Sequence, residues 1–322
     1  MRTHASCSFP RRGTAFALAA CALLLAACDN PGGASRTLDP HFTVGPALEA
    51  PASGRVDYFL TLWGDDRRMV ALGGDDQWRS GDRGTTWTED QAGPPAELYD
   101  TWGPRDAMVG VGVNGTIVRS SDGGAHWRAA ASGVTDNLTG VAGVGRTVVA
   151  VGWNGRIVRS TDGGATWSAM ASPTTYLLWD VWGEGNTFVA VGKCGTLLRS
   201  VDSGVTWAKV TSPSPYCYYG VWGSGSTVVA VGMAGTLVRS VDGGATWTLV
   251  DVGITDALWS IDGHGSTVVA VGDNGALAYS TDAGATWTTG TMEGIYYRAV
   301  RVPDEDRFVA VGGGGSVMVG TR

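Results

Sequence analysis

The side chains with the clearest capacity for chemistry are six aspartates spaced 40 residues apart along the chain: Asp82, Asp122, Asp162, Asp202, Asp242 and Asp282. A repeated carboxylate suggests catalysis or Ca²⁺ binding, but a calcium site uses six to eight oxygen ligands and each copy supplies one carboxylate. Six equivalent copies in a repeat architecture also cannot meet at one substrate. We therefore interpret each aspartate as the anchor of its own turn, where a short carboxylate accepts hydrogen bonds from backbone N–H groups.

A second set of acids could support glycosidase chemistry, which needs two carboxylates about 5 to 10 Å apart. The candidates outside the repeated column are Asp75, Asp76, Glu97, Asp100, Asp180 and Asp273. Solvated acids in turns explain these residues equally well. Beyond the amino-terminal segment, the histidines His41, His126 and His264 lie at unrelated positions, which disfavours a histidine metal site or a hydrolase triad. We therefore predict no catalytic residues, no metal and no cofactor.

The six aspartates belong to a longer loop signature, which the surrounding elements must hold in place. Its most regular copy, at 160–167, is Ser-Thr-Asp-Gly-Gly-Ala-Thr-Trp, and its tryptophans fall at Trp87, Trp127, Trp167, Trp207, Trp247 and Trp287. Between the copies, short runs of β-branched and aromatic residues alternate with Gly, Asn and Asp, which is typical of strands and turns. A period of about 40 residues with four short strands per unit predicts a β-propeller. Each tryptophan would be a structural anchor that buries roughly 200 Å².

The number of repeats predicts seven blades. The second-strand motif Ala-Val-Gly recurs in some form seven times, last at 310–312, but the loop signature and the strand after it occur six times. An unpaired outer edge would be a template for aggregation. We therefore predict that residues 42–50 supply the missing fourth strand and close the ring. The predicted fold is all-β: one seven-bladed β-propeller of four-stranded antiparallel blades, at 41–322.

The amino terminus has the composition of an export signal. Three arginines precede the apolar run 15–27, which is shorter than a membrane span. Leu-Ala-Ala-Cys at 25–28 resembles the bacterial lipobox, which implies a signal peptide at 1–27 and an acylated Cys28 that anchors the chain to a membrane surface. An ordinary signal peptide is the alternative. Residues 28–40 are then a flexible tether, and we expect a lipid-anchored envelope protein that faces the periplasm or the cell surface.

Charge narrows the classes of partner. Removal of residues 1–27 takes away three arginines and no acid, so the formal net charge changes from −7 to −10. A negative chain of this kind disfavours nucleic acid and anionic lipid as partners recognised by bulk charge.

One face of the predicted propeller collects the remaining candidates. The loops between second and third strands share a face with the connections between blades, which brings Cys194 and Cys217 close together. In an exported chain this predicts a disulfide, and two free thiols are the alternative. The aromatic residues predicted for the same face could bind a peptide or a sugar, although packing at the loop bases also explains them; they are Trp153, Tyr176, Tyr216, Tyr218 and Tyr296.

The signature Ser-x-Asp-x-Gly-x-Thr-Trp resembles the Asp-box, or bacterial neuraminidase repeat, which occurs in propellers of several functions. Sialidases with this repeat share an Arg-Ile-Pro motif, which this sequence lacks. The phrase at 181–207, which begins Val-Trp-Gly and ends Gly-x-Thr-Trp, resembles the photosystem II stability and assembly factor family over about residues 58–320. That resemblance implies a seven-bladed scaffold that binds a membrane protein.

These observations predict a non-enzymatic, envelope-anchored propeller that acts as a binding or assembly scaffold for a protein or peptide. The alternative is a carbohydrate-active, sialidase-like glycosidase or a glycan-binding propeller.

Overall fold

The computed structural model describes residues 36–39, 42–44, 58–65, 67–74, 76–90, 93–292 and 294–321. All of them lie in one compact unit, residues 34–322. This unit is a seven-bladed β-propeller of antiparallel four-stranded blades, so the predicted fold class is confirmed. No helix in the described part of the chain has the length and apolarity to cross a membrane.

The strands recur in the same order in each blade. The first strands, from blade one to blade seven, are β3 (Thr61–Gly64), β7 (Leu98–Trp102), β11 (Leu138–Val144), β15 (Leu178–Glu184), β19 (Tyr218–Ser224), β23 (Leu258–His264) and β27 (Tyr297–Asp304). The second strands are β4 (Met69–Gly73), β8 (Met108–Gly112), β12 (Thr147–Gly152), β16 (Thr187–Gly192), β20 (Thr227–Gly232), β24 (Thr267–Gly272) and β28 (Arg307–Gly312).

The two outer strands of each blade are shorter. The third strands are β5 (Asp76–Ser80), β9 (Ile117–Ser120), β13 (Ile157–Ser160), β17 (Thr196–Ser200), β21 (Leu237–Ser240), β25 (Ala276–Ser280) and β29 (Val317–Thr321). The fourth strands of blades one to six are β6 (Thr88–Asp90), β10 (Arg128–Ala130), β14 (Ser168–Ala169), β18 (Ala208–Lys209), β22 (Thr248–Val250) and β26 (Thr288–Thr291).

Two further strands extend the sheet of blade seven. β2 (Phe42–Val44) pairs antiparallel with β29, with Val44 opposite Gly320, and β1 (Arg36–Asp39) pairs with β2. The sheet therefore begins before residue 41, the predicted start of the propeller, and its edge has one strand more than predicted. Residues 45–50 lie outside the described residues, so closure of the ring by the whole segment 42–50 stays a prediction.

The hydrophobic core consists of layers between neighbouring blades. The second strand Thr227–Gly232 has the sequence Thr-Val-Val-Ala-Val-Gly and is buried after its first residue, because neighbouring blades cover both of its faces. The last layer joins the two ends of the ring, since Met69 of blade one packs in the same cluster as Val309 of blade seven. Every first strand contacts the first strands of both neighbouring blades, so these seven strands form the inner ring.

The Asp-box loops join the third and fourth strands. In the loop at 160–167, the Ser160 hydroxyl donates to Asp162 Oδ1 at 2.7 Å and accepts the N–H of Gly164 at 2.8 Å. The Asp162 carboxylate also accepts the N–H and the hydroxyl of Thr166, at 2.9 and 2.6 Å. The indole N–H of Trp167 donates to the carbonyl of Gly164 at 2.9 Å. Each carboxylate therefore binds its own loop.

The other Asp-box loops repeat this geometry with one variation. In blade two, His126 supplies an imidazole nitrogen in place of the threonine hydroxyl, and the Trp127 indole donates to Gln77 of blade one at 3.0 Å. The hydrogen bonds stabilise the ionised carboxylates. The hydroxyl of Thr206, for example, lowers the pKa of Asp202 to about 2.

Arginines near the ends of the third strands link neighbouring blades. Arg159 Nε donates to the carbonyl of Ser203 at 2.6 Å, and Arg199 Nε donates to that of Gly243 at 2.8 Å. In both cases the acceptor lies in the Asp-box loop of the next blade. These two arginines thus fasten one blade to the next, and Arg307 of blade seven makes the same kind of bond to blade one.

Candidate functional site

Antiparallel order gives the propeller two different faces. The Asp-box loops lie on one of them, which we call the Asp-box face. The loops between second and third strands lie on the other together with the connections between blades, and we call this the connection face. Backbone hydrogen bonds join its two kinds of loop, such as those from Lys193 N to Leu177 O and from Met233 N to Cys217 O, both 2.9 Å.

In blades two to seven, the loops between second and third strands are single 3₁₀ turns. Their central residue has a positive φ, which is 57° at Asn154 and 52° at Asn274, and asparagine tolerates this left-handed conformation. Cys194 and Ala234 adopt it as well, with φ of 55° and 54°. The backbone of these loops is therefore constant while the exposed side chain varies from blade to blade.

Large apolar side chains are exposed on the connection face. The exposed fraction is 49% for both Tyr176 and Tyr216 and 46% for Tyr296. Met233 is exposed to 40%, and Tyr58, which sequence analysis did not select, is exposed to 46%. A protein surface that exposes several large apolar groups on one face is typical of an interaction site.

Two of the predicted aromatic residues are less accessible. Trp153 is half-buried. Tyr218 has no exposed surface, and its hydroxyl lies 2.7 Å from the Ser212 hydroxyl. The prediction that Tyr218 belongs to a ligand-binding surface is wrong, because this residue begins β19 and occupies the core position that Leu178 and Leu258 fill in blades four and six.

A β-bulge occupies the same position in the first strand of blades two to seven. In blade four, Leu178 pairs with Gly192 and Asp180 pairs with Val191, which leaves Trp179 as the extra residue. A bulge redirects its extra side chain. The six bulged residues lie at the connection-face end of the inner ring, and we call them the inner rim: Tyr99, Thr139, Trp179, Tyr219, Trp259 and Arg298.

Four members of the inner rim form one contiguous stack. Tyr219 stacks on Trp259 with ring centroids 4.2 Å apart, and Trp179 meets both rings edge-on at 5.6 and 6.3 Å. The Arg298 guanidinium lies 4.0 Å from the Trp259 ring centroid. Blades four and six are not neighbours, so the contact between Trp179 and Trp259 shows that these side chains converge toward the ring axis.

Two inner-rim residues, Tyr99 and Trp179, are each followed directly in the sequence by an aspartate. Asp100 accepts the N–H of Thr101 at 2.7 Å and of Val141 in the next blade at 2.8 Å. Asp180 accepts the N–H of Val181 at 2.7 Å and of Val221 in the next blade at 2.9 Å. Each carboxyl therefore joins two inner strands.

Burial destabilises the ionised form of these carboxyls. It raises the pKa of Asp100 to about 6, and burial together with repulsion from Asp100 raises the pKa of Asp180 to about 8. Asp262 of blade six, whose pKa is also raised by burial, accepts the N–H of Val302 at 2.7 Å and lies 3.4 Å from the Arg301 guanidinium.

Of the other candidate acids, Asp273 accepts the indole N–H of Trp259 at 2.7 Å and thereby helps to hold the stack. Burial, together with the smaller effect of the Glu97 carboxylate, raises the pKa of Tyr99 to about 12. Asp75 lies outside the described residues. The structure therefore brings Asp100 and Asp180 together near the axis, while Asp273 lies at the rim.

Cys194 and Cys217 lie close together, as their loops require. The N–H of Cys194 donates to Cys217 Sγ at 3.4 Å, and the same link in blade two runs from Asn114 N–H to Asn137 Oδ1 at 2.8 Å. The two sulfur atoms are not joined, and the disulfide stays a prediction.

Comparison with known proteins agrees with this architecture. Residues 158–169 match the BNR/Asp-box repeat model. A search of curated proteins finds no match. Among solved structures, YCF48 from Cyanidioschyzon merolae is 14% identical with a TM-score of 0.68, over 85% of this chain and 98% of that one. A structure of YCF48 bound to D1 peptide is 15% identical with a TM-score of 0.71, over 90% and 100%.

An enzyme also has a similar fold. An inactive virginiamycin B lyase from Staphylococcus aureus with quinupristin is 13% identical with a TM-score of 0.71, over 87% of this chain and 99% of that one. At such identities the similarity establishes the fold alone, and the function must be argued from the site.

The inner rim is the part of the site that sequence analysis missed. A signal was present, because Trp179, Tyr219 and Trp259 recur at a step of 40 residues. A bulge, however, has no residue signature in these strands, so alternation alone does not reveal that these side chains leave the sheet.

Proposed function

We propose that this protein is a non-enzymatic, envelope-anchored propeller whose connection face binds a protein or a peptide. The observation that carries the proposal is the concentration of exposed and rim aromatics on this one face, where Tyr176 and Tyr216 are each 49% exposed. Aromatic side chains supply much of the binding energy in protein interfaces because they bury a large area with few torsions. YCF48, which has the same fold, is described with a bound D1 peptide.

The test is site-specific photo-crosslinking of the full chain in its native membrane. A photoreactive residue at Tyr216 or Tyr296 should give a discrete protein adduct. The matched control is Val241, which is 59% exposed but lies on the Asp-box face. Equal crosslinking from Val241, or no adduct from the connection face, would contradict the proposal.

A carbohydrate-active propeller is the second candidate, and the raised pKa values of Asp100 and Asp180 favour it. A carboxylic acid protonated near neutral pH next to a second carboxyl is the arrangement of a glycosidase acid and its partner. It ranks second because both carboxyls already accept N–H groups from two strands. Turnover of a chromogenic glycoside panel that disappears in Asp180→Asn would favour this candidate over the scaffold.

Membrane attachment and the disulfide belong to the same proposal. We expect Cys28 to carry lipid, so a fatty-acid analogue should label the wild type and leave Cys28→Ser unlabelled.

We expect Cys194 and Cys217 to be joined, so reduction should separate their two peptides in a digest and change the mass of the bridged species.

A further inference from the structure

We propose that the inner rim is a subsite for an arginine side chain of the bound protein or peptide. The proposal rests on the proposed function and adds the chemistry of the partner. The aromatic stack would contact the face of the guanidinium, and the carboxyls near the ring axis would attract its charge.

The first support is that the rim already holds one guanidinium. Arg298 lies over the face of Trp259, with its nearest guanidinium nitrogen 3.8 Å from the Asp273 carboxylate. Asp273 also accepts the indole N–H of the same tryptophan at 2.7 Å. An aromatic face flanked by a carboxylate is a favourable site for a planar cation. The rim therefore has the chemistry required for a second one.

The second support is that the remaining aromatic surface is accessible. Trp179 and Tyr219 are half-buried, so both rings retain exposed area after they pack against Trp259. Trp179 meets its two neighbours edge-on, at interplanar angles of 89° and 83°. Neither neighbour therefore stacks on Trp179, and a guanidinium could stack on the exposed part of its ring.

The third support is the sign of the charge near the axis. Asp100, Asp180 and Asp262 are carboxyls of the inner strands, and Arg301 interacts with Asp100 and Asp262. The Arg301 guanidinium lies 3.4 Å from the Asp262 carboxylate, and the charge of Asp100 destabilises the ionised form of Asp180. A cation at the rim would favour the ionised forms of these carboxyls, whereas a second carboxylate would disfavour them further. Walls of low dielectric constant strengthen this selection.

Arginine fits better than lysine because its guanidinium is planar, stacks on aromatic faces and is more weakly hydrated. A charged ammonium would satisfy the charge but would lose the stacking contact. The rim is therefore expected to prefer arginine to lysine, and to reject peptides whose only charged residue is acidic.

A random-peptide phage library selected on the full-length protein tests this inference. Peptides that survive selection should be enriched in arginine. The strongest binder should then be synthesised with citrulline in place of arginine, since citrulline keeps the shape and removes the charge. We expect the citrulline peptide to bind about tenfold more weakly.

Substitutions in the inner rim test whether the preference for arginine arises there. Trp179→Leu should weaken the arginine peptide about tenfold and the citrulline peptide much less. Trp179→Phe keeps an aromatic face and should restore most of the affinity. Val241→Ala, on the Asp-box face, should leave the difference between the two peptides unchanged. Thermal unfolding of each variant checks that it folds.

The outcomes separate the two proposals. Binding peptides without arginine, an unchanged affinity after the citrulline exchange, or enrichment of acidic peptides would overturn the arginine subsite and leave a peptide-binding scaffold intact. No enrichment of any peptide, together with no crosslink from Tyr216 in the membrane, would overturn both.

Discussion

The two faces of the propeller use the same backbone repeat for opposite purposes. On the Asp-box face, five loops repeat the same serine, aspartate, threonine and tryptophan contacts, and these polar groups bind one another. On the connection face, the six bulges repeat, but their side chains are tyrosine, threonine, tryptophan or arginine. Repeated side chains therefore mark the parts that hold the ring together, whereas a repeated backbone with varied side chains marks the parts available for binding.

The largest effect expected from this comparison is the loss of an Asp-box tryptophan. The Trp247 side chain is 8% exposed and packs in the layer between blades four and five. Trp247→Ala should lower the free energy of unfolding by about 3–5 kcal/mol, because it leaves a cavity between two blades. Denaturant unfolding measures the change. The control is Trp153→Ala, which removes a half-buried tryptophan of the connection face and should lower the free energy of unfolding by less. Equal losses would contradict the division between the faces.

The next effect concerns pH and the carboxyls near the axis. The pKa of Asp180 is about 8 in the folded protein, against an ordinary value of 3.8. The folded state therefore keeps a proton that the unfolded chain releases, and stability should fall as the pH rises from about 4 to about 8. Asp180→Asn removes this group, so its stability should depend less on pH in that range. Because Asp100 keeps a raised pKa in this variant, the free energy of unfolding should still decrease between about pH 4 and 6.

The Asp-box carboxylates should show the opposite dependence. The hydroxyl of Thr206 lowers the pKa of Asp202 to about 2, so its stabilising contribution is present above about pH 4 and disappears as the pH falls toward 2. Asp202→Asn should therefore reduce the acid sensitivity of the unfolding temperature and leave the alkaline side unchanged. Wild-type stability should then be highest between the two transitions. A curve with no decrease on the acid side would contradict the role of these loops.

A smaller effect is expected from the arginines between blades. Arg199→Ala removes the hydrogen bond from its Nε to the carbonyl of Gly243, which measures 2.8 Å. One net hydrogen bond contributes about 1 kcal/mol to stability. Unfolding in denaturant should show a loss of this size, well below that of the tryptophan variant. Arg239→Ala, whose bond to Ala283 measures 3.3 Å, is the matched comparison and should cost no more.

The fold was predictable because its information is local and repeated. Each loop needs a tryptophan that packs between blades and an aspartate that accepts N–H groups of its own loop, as Trp167 and Asp162 do. The same two residue types therefore recur every 40 residues. The strand Phe42–Val44 pairs with β29, at the place that the count of outer strands indicated. These features follow from sequence spacing without any knowledge of distance in space.

The candidate site was less predictable, because it depends on where strands depart from regular alternation. In the run from Tyr216 to Tyr219, Tyr216 is exposed, Tyr218 is buried and Tyr219 joins the inner rim. The bulge between Tyr218 and Gly220 reverses the alternation within three residues. The meeting of Asp100 and Asp180 from separate blades likewise depends on the curvature of the ring, which no local pattern contains.

The smallest expected change in stability is also the one that isolates function. The Tyr216 side chain is 49% exposed, so Tyr216→Ala should change the free energy of unfolding by no more than about 0.5 kcal/mol. If the connection face binds the partner, the same substitution should reduce its crosslinking from a probe at Tyr296. Val241→Ala removes a side chain of similar exposure from the Asp-box face and should change neither quantity. A variant at Tyr216 that keeps both stability and crosslinking would place the partner elsewhere on the ring. Loss of crosslinking at full stability would assign the binding contacts to the face whose side chains vary.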